Sequence, residues 1–213
     1  YFSPGVAELI EDRDDPGQGE SCEISVLFCD IRGFTQLSEN LKPAEVVQLL
    51  NEFHGHMVEE VFRFGGTLDK YLGDGLLAYF NAPVRQTDHC LRSVQCALAM
   101  ELSLERLNEK RREKEAPPLR IGIGVHAGEA IVGNIGATHR REFTAIGDTV
   151  NVASRLQDLT KKNQCSILVS EAVLSRIEMK GAIDLEFLPK GNTEVRGRKE
   201  HLEIFVPQRK LNA

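Results

Sequence analysis

Two short stretches of this chain place an aspartate where an apolar run meets a glycine. The first reads Phe-Cys-Asp-Ile-Arg-Gly-Phe-Thr around Asp30, and the second reads Asp-Lys-Tyr-Leu-Gly-Asp-Gly, with its second aspartate at Asp74. Hard cations such as Mg²⁺ take oxygen ligands and use one or two protein carboxylates, with water and substrate phosphates completing the shell. The pattern indicates a divalent-metal site that handles phosphates.

The two aspartates need a fold that brings them together. Asp30 ends a predicted strand and Asp74 lies in the turn after another, and in a β-α-β-β sheet these positions can be neighbours. Such a pair suits two cations about 3.5–4 Å apart, which clamp the attacking and leaving oxygens of a displacement. The alternative for either aspartate alone is an Asx turn or a helix cap.

The residues after Asp30 have the character of a phosphate-binding segment. Ile31, Arg32, Gly33, Phe34 and Thr35 enter a helical stretch, so their backbone N–H groups can face a polyphosphate while Thr35 adds a hydroxyl. No Walker motif occurs in the chain.

A third motif lies in Gly-Asp-Thr-Val-Asn-Val-Ala-Ser-Arg. Asn151 and Arg155 are four residues apart, which places them on one face of a predicted helix. An arginine fork can neutralise charge that develops on a transferring phosphate. The alternative is an ordinary solvated helix face.

The elements that position these residues alternate between strand and helix. Pro43 to Phe64 has apolar residues at helical spacing, and Gly65-Gly66 ends that helix. The remaining predictions are strands over 24–29, 67–71, 76–80, 142–146, 166–169 and 202–206, helices over 88–112 and 148–159, and a hairpin of strands 119–126 and 130–134 turning at Gly128-Glu129. This order predicts an α+β fold with a ferredoxin-like βαββαβ core and additional C-terminal strands and helix. The Gly122-x-Gly124 pair lies within a strand and predicts close packing, not a phosphate loop.

Composition limits the class of protein. With 213 residues and 41 % hydrophobic content, the chain can form one sizeable core. Its net charge of −6 argues against a nucleic-acid partner. Five cysteines without metal-ligand spacing predict reduced thiols in the cytoplasm, and no apolar run approaches the ~20 residues of a membrane span.

The ends of the chain predict a catalytic domain joined to other segments. Residues 1–21 carry a short apolar patch and then a polar stretch that contains Gly and Pro, which predicts a linker. One domain over 22–207 and a tail over 208–213 are expected to follow. Because the first residue is Tyr1, we expect a piece of a longer polypeptide with an upstream sensor or regulatory domain.

In order and spacing, the three motifs resemble the class III adenylate/guanylate cyclase catalytic domain, over about residues 22–206. The resemblance implies a head-to-tail homodimer with two active sites at the interface. Two cations, Mg²⁺ or Mn²⁺, would be held by Asp30, Asp74 and the backbone carbonyl of Ile31. The other subunit would supply Lys70, Thr144, Asn151 and Arg155. The implied reaction converts ATP to 3′,5′-cyclic AMP and pyrophosphate, with Asn151 orienting the ribose and Arg155 stabilising the α-phosphoryl group.

Base choice follows from hydrogen-bond chemistry. Adenine has an acceptor at N1 and a donor at N6, so Lys70 can donate to N1 and the Thr144 hydroxyl can accept from N6. Guanylate cyclases of the family carry an acidic residue at the position of Lys70, so the resemblance implies ATP selectivity. Thr144 places the chain in a threonine-bearing subgroup with bicarbonate-responsive members, which makes bicarbonate regulation a hypothesis.

The family's V-K-G-K pattern matches Val-Arg-Gly-Arg-Lys near the end of the chain and indicates Arg198, next to Lys199, as a contact for the terminal phosphates. Two alternatives stay open at this point. One is a guanylate or dual-specificity cyclase, and the other is a catalytically silent nucleotide-binding regulatory module. A silent module is expected to lack a metal aspartate, the asparagine or the arginine, and this chain has them all.

Overall fold

The computed structural model describes residues 19–137, 139–177, 184–194 and 201–210. Arg198 and Lys199, and most of the predicted linker, lie outside these ranges. Within them the strands are β1 (Glu20–Ile31), β2 (Thr67–Leu72), β3 (Gly75–Phe80), β4 (Ile121–Ala137), β5 (Arg140–Ile146), β6 (Ile167–Ser170), β7 (Leu185–Glu194) and β8 (His201–Arg209). The helices are α1 (Phe34–Ser38), α2 (Pro43–Arg63), α3 (His89–Glu113), α4 (Asp148–Lys162) and α5 (Glu171–Leu174).

One sheet contains all of these strands, in the order β2-β3-β1-β4-β6-β8-β7, and β5 pairs with β4 beside that path. The first four strands of this order are antiparallel. Together with α2 and α3 they form the βαββαβ core, which confirms the predicted α+β class. The strands β6, β7 and β8 extend the sheet beyond the core.

Strand β1 is buried on both faces because helices cover the sheet on both sides. Leu27 and Cys29 belong to the apolar cluster that includes Phe53 of α2. Ile24 belongs to a second cluster, which includes Ala153 of α4. The mainly apolar sequence of β1 therefore reflects a central strand, and its last residues are held rigidly at the edge of the core.

Helix α2 follows from its apolar spacing and its first turn. Pro43 occupies the beginning of the helix, and the Glu45 carboxylate accepts the Lys42 N–H at 2.7 Å. Four apolar side chains at intervals of four residues are buried against the sheet: Leu49, Phe53, Met57 and Val61. The helix predicted over 43–64 is confirmed.

The predicted hairpin over 119–134 is wrong, because β4 is one continuous strand. Gly128, predicted to be a turn residue, pairs with Ile24 of β1 in the middle of the ladder. A Cβ at Gly128 would lie 2.9 Å from the Thr149 hydroxyl oxygen. The glycine thus makes room for α4 on the face of the strand, and it does not reverse the chain.

The close-packing interpretation of Gly122-x-Gly124 is confirmed. A Cβ at Gly124 would overlap the carbonyl oxygen of Ala153 and the backbone nitrogen of Gln157, both in α4. A Cβ at Gly122 would lie against Thr160 of the same helix. These glycines let α4 lie directly on β4, and the position of α4 sets the positions of Asn151 and Arg155.

No helix in the described part of the chain is long and apolar enough to cross a membrane.

Candidate active site

Asp30 and Asp74 lie side by side at one end of the core sheet. Asp30 is the penultimate residue of β1 and pairs with Gly75, the first residue of β3, so the turn residue Asp74 lies next to it. A Cβ at Gly75 would lie 2.9 Å from Oδ1 of Asp30 and 2.7 Å from the Cys29 carbonyl. Glycine is therefore required where the turn approaches the first aspartate.

The turn between β2 and β3 is also fixed by contacts with α2. Nε2 of His54, in α2, donates to the Gly73 carbonyl at 3.1 Å. The His54 ring lies 4.4 Å, centroid to centroid, from the ring of Tyr71. Burial lowers the pKa of His54, although the Gly73 carbonyl and Asp74 oppose the shift. Helix α2 thus fixes the turn that carries Asp74.

The electrostatics of the aspartate pair favour a bound cation. Burial, together with the charge and hydrogen bonding of Asp74, raises the pKa of Asp30 to about 6. A divalent cation between the two carboxylates would relieve this repulsion. The described residues contain no cluster of three or more His, Cys, Asp or Glu side chains suited to a metal. Two carboxylates nevertheless fit Mg²⁺ and Mn²⁺, which take the rest of their ligands from backbone, water and phosphate.

A cavity of about 680 Å³ opens beside Asp30. Its lining joins the end of β1 to the start of β4 and the last turns of α4, and includes Ile31, Gly33, Arg120 and Lys161. Carboxylate and cationic side chains thus share one space, an arrangement suited to a metal-bound polyphosphate.

The segment after β1 begins with a glycine in the left-handed conformation and continues into a short helix. Gly33 has φ of +69°, in the left-handed region, and precedes α1. Phe34 packs against the main core, while Thr35 is exposed. The predicted phosphate segment therefore contributes Ile31 and Gly33 to the cavity lining and anchors itself through Phe34.

Arg120 was missed by the sequence analysis. Its carbonyl accepts the Arg32 N–H at 2.7 Å, where the end of β1 lies beside the start of β4. Its only sequence signal is a cation just before an apolar strand. That signal becomes informative once the pairing of β4 with β1 is known.

Lys70 and Thr144 form a second group, away from the cavity. Lys70 is on β2 and Thr144 is on β5, and both contact the carboxylate of Asp69. Nζ of Lys70 lies 3.4 Å from Oδ1 of Asp69 and 3.0 Å from Oε2 of Glu142. Desolvation lowers the pKa of Lys70, but hydrogen bonding to Glu142 and the Asp69 charge outweigh it, so the net pKa is raised. Lys70 is therefore a stable ammonium donor.

Asp69 was also missed, because its contacts with β5 depend on tertiary packing and its pairing with Lys70 depends on an irregularity of the strand. Leu68 pairs with Ala78 and Lys70 pairs with Leu77, so Asp69 is the extra residue of a β-bulge. A bulge interrupts simple alternation, and this one places Lys70 on the same face of the sheet as Asp69. The Asp69 side chain is only 1 % exposed and points toward β5.

Asn151 and Arg155 lie on the first two turns of α4, as predicted. Asn151 is exposed and Arg155 is half-buried, while Val152, Ala153 and Leu156 are buried on the opposite side. The residues that line the cavity beside Asp30 come from the later turns of α4, and neither Asn151 nor Arg155 is among them. The fold therefore brings Asp30 and Asp74 together and Lys70 and Thr144 together, but it does not bring the predicted residues into one site.

Comparison with known proteins identifies the class. The family described as "Adenylate and Guanylate cyclase catalytic domain" matches residues 18–208, and the chain belongs to this family. The chain is 39 % identical over 183 residues to "Adenylate cyclase 1" of Rhizobium meliloti (strain 1021), covering 86 % of this chain and 27 % of that protein. It is 35 % identical over 193 residues to "Adenylate cyclase" of Anabaena cylindrica, covering 89 % and 37 %.

Two solved structures share the fold. The adenylyl cyclase CyaB from P. aeruginosa has a TM-score of 0.81 at 31 % identity, covering 92 % of this chain and 100 % of that one. The guanylyl cyclase Cya2 has a TM-score of 0.76 at 33 % identity, covering 88 % and 92 %. The chain spans between about a quarter and two fifths of the length of the two curated relatives.

Proposed function

We propose that this chain is the catalytic domain of an adenylate cyclase, which converts ATP to 3′,5′-cyclic AMP and pyrophosphate at the interface of a homodimer. The observation that carries the proposal is the division of the site residues. Asp30, which lies next to Asp74, lines a cavity that also has basic side chains in its wall. Lys70 and Thr144, a donor and an acceptor suited to adenine, lie together elsewhere on the same chain. A head-to-tail pair of chains joins the two halves.

The metal end of the site consists of Asp30 and Asp74, with the backbone carbonyl of Ile31 as a further oxygen ligand. The raised pKa of Asp30 supports this role, because it results from burial and from the neighbouring charge of Asp74, and a bound cation would stabilise both carboxylates in their charged form. Two bound cations, Mg²⁺ or Mn²⁺, would acidify the ribose 3′-hydroxyl and neutralise the triphosphate.

The chain's own residues position the substrate for an in-line displacement. The 3′-oxygen forms a bond to the α-phosphorus, the bond from that phosphorus to the α–β bridging oxygen breaks, and the hydroxyl proton leaves to solvent. Asn151 of the second chain orients the ribose, and Arg155 neutralises the charge that builds up on the α-phosphoryl oxygens.

The remaining phosphates extend along the cavity. Gly33 permits close approach of the backbone, Phe34 anchors the segment, and Thr35 contributes a hydroxyl. Arg120 lines the same cavity and is our candidate for a β-phosphate contact. Arg198 stays a prediction for the terminal phosphate, since it lies outside the described residues.

Lys70 and Thr144 read the base. Lys70 donates to adenine N1, and the Thr144 hydroxyl accepts from the N6 amino group. The named adenylate cyclases among the relatives support ATP as substrate. A guanylate or dual-specificity cyclase is the second candidate, because one structural neighbour at 33 % identity is a guanylyl cyclase.

Bicarbonate regulation and an upstream sensor domain stay predictions. The first is tested by measuring turnover at constant pH with added bicarbonate, where a flat response would reject it. The second requires the full-length polypeptide.

The metal assignment is tested by Asp30→Asn and Asp74→Asn. We expect each variant to lose cyclic AMP formation and to bind Mn²⁺ more weakly in calorimetry, since each loses a charged oxygen ligand. The control is Asp88→Asn, an exposed carboxylate that pairs with Arg92 at 2.6 Å outside the cavity. Wild-type Mn²⁺ affinity in both site variants would overturn the assignment.

A further inference from the structure

The buried carboxylate of Asp69 contacts both residues of the proposed base-reading pair, Lys70 and Thr144. The Thr144 hydroxyl donates to Asp69, at 2.7 Å to Oδ2 and 3.0 Å to Oδ1. The Ala145 backbone N–H donates to Oδ2 at 3.1 Å, and the Lys70 ammonium lies 3.4 Å from Oδ1. Every one of these neighbours of Asp69 is a donor.

We propose that Asp69 is a positioning residue that sets the direction of hydrogen bonding in the base site and thereby the choice of adenine over guanine. The inference rests on the proposed function and deepens it. A hydroxyl has one hydrogen, and a carboxylate can only accept. Because Asp69 takes the hydrogen of Thr144, only the lone pairs of that hydroxyl remain for a ligand.

The same carboxylate limits Lys70. An ammonium group carries three hydrogens. Asp69 and Glu142 lie close enough to take two of them, which leaves one for a ligand acceptor. Asp69 thus leaves one acceptor, the Thr144 hydroxyl oxygen, and one donor, an N–H of Lys70, for a ligand.

Adenine fits this pattern, because its N6 amino group donates and its N1 accepts. Guanine has the opposite pattern at the corresponding atoms, with an acceptor at O6 and a donor at N1. It would place lone pair against lone pair at Thr144 and N–H against N–H at Lys70. Desolvated polar groups without partners are the strongest basis for rejecting a wrong substrate.

The geometry of β2 supports a dedicated role for Asp69. Leu68 packs in the core on one face of the sheet, so alternation places Asp69 on the other face, toward β5. The bulge between Leu68 and Lys70 places Lys70 on that same face, beside Asp69. The Asp69 side chain is 1 % exposed, so water does not compete for its oxygens. The Thr144 residue is also buried, at 7 % exposed.

The test is the ratio of kcat/KM for ATP to kcat/KM for GTP in four proteins: wild type, Asp69→Asn, Thr144→Val and the double variant. In Asp69→Asn an amide group replaces one oxygen, so one donor loses its acceptor whichever way the amide lies. We expect the ratio to fall about ten- to a hundredfold in each single variant. Because Asp69→Asn acts in part through the Thr144 hydroxyl, which valine removes, the double variant is expected to fall by less than the two single effects combined.

The matched control is Thr67→Val, also on β2, whose buried hydroxyl donates to the Ala82 carbonyl at 2.7 Å. It is expected to keep the wild-type ratio. An Asp69→Asn protein in which ATP and GTP turnover fall equally would overturn the inference, because a merely structural role changes both alike. Fully additive changes in the double variant would also overturn it.

A measurement on the wild type keeps the inference testable if Asp69→Asn does not fold. Inosine triphosphate has the O6 and N1–H pattern of guanine without its 2-amino group. We expect it to be rejected as strongly as GTP, and efficient use of it would contradict the inference. The proposed function fails separately, if the wild type forms no cyclic AMP.

Discussion

Arg155 is the residue whose proposed role is most specific to the reaction, because the charge that it neutralises increases as bonds to the α-phosphorus change. Arg155→Ala is expected to lower kcat by about 10³–10⁵, the range for comparable arginines in phosphoryl transfer. KM should change far less, because the ground-state contacts of the base and metal ends remain. Steady-state kinetics with ATP measures both constants.

The control for this variant is Lys162→Ala, an exposed cation at the end of the same helix. It removes a positive charge from α4 and is expected to keep kcat near the wild-type value. An Arg155→Ala enzyme with unchanged kcat and raised KM would assign Arg155 to substrate binding alone.

At the residue scale, sequence reasoning succeeded where spacing alone determines position. Asp30 and Asp74 were predicted to be neighbours from a strand end and a turn, and the β1–β3 register places them so. Asp69 and Arg120 were missed for different reasons. The contacts of Asp69 with β5 depend on how distant strands pack together, and the cavity around Arg120 depends on strand pairing.

At the scale of elements, the contact between α4 and β4 sets the positions of Asn151 and Arg155. Gly124→Ala would place a methyl group against the backbone of α4 at Ala153 and Gln157. We expect it to lower the free energy of unfolding by about 1–3 kcal/mol and to reduce turnover by displacing the helix. Urea unfolding and turnover measure the two effects.

Gly55→Ala is the matched control, since Gly55 is inside α2 and a Cβ there meets nothing within 4 Å. It is expected to raise the free energy of unfolding by up to about 1 kcal/mol, because alanine favours helix more than glycine. Equal effects of the two substitutions would show that α4 does not depend on close approach to β4.

The stability of the folded chain is expected to depend on pH because of a histidine at the start of α3. Nε2 of His89 lies 3.5 Å from Oε1 of Glu23 on β1, and Arg176 pairs with the same carboxylate at 2.9 Å. Burial lowers the pKa of His89, although the charge of Glu23 opposes the shift. A hydrogen bond from Arg176 is the main cause that lowers the pKa of Glu23.

Both shifts have the same sign. Each group binds its proton more weakly in the folded state, so the unfolded state takes up more protons as the pH falls. Stability is therefore expected to decrease below the ordinary histidine value of 6.5 and further as Glu23 protonates. In His89→Gln the decrease between pH 7 and 5 should be smaller, as measured by urea unfolding. An unchanged slope would contradict this account.

The hairpin at Gly128-Glu129 was predicted wrongly because glycine occurs both in turns and in strands that lie close beneath a helix. Gly128-Glu129 has the composition of a turn, yet Gly128 lies in the middle of a strand beneath Thr149. Gly73 and Gly75 flank Asp74 in a true turn. Sequence composition does not separate a glycine that allows a turn from one that allows a helix to approach, because the second case depends on tertiary packing.

For the whole molecule, the separation of the two groups of site residues is the basis of the proposed shared active site. If Asp30 and Arg155 act in the same site from different chains, Asp30→Ala and Arg155→Ala homodimers are each inactive. A heterodimer of the two has one site with both residues intact. Equal mixing with free exchange should restore about a quarter of wild-type activity, since half of the dimers are mixed and each has one working site.

The control for this experiment is a mixture of Asp30→Ala with Asp74→Ala. Both substitutions are in the same half of the site, so every heterodimer lacks an intact metal half and stays inactive. Restored activity in that control, or none in the first mixture despite proven heterodimers, would contradict the shared site.

The most direct test of the account is cyclic nucleotide formation by the purified chain with Mg²⁺ or Mn²⁺, with ATP and GTP supplied separately at matched concentrations. The account predicts cyclic AMP from ATP and little or no cyclic GMP from GTP. Cyclic GMP as the main product would contradict the base assignment of Lys70 and Thr144, and no product from a sample shown to be dimeric would contradict the proposed catalytic function.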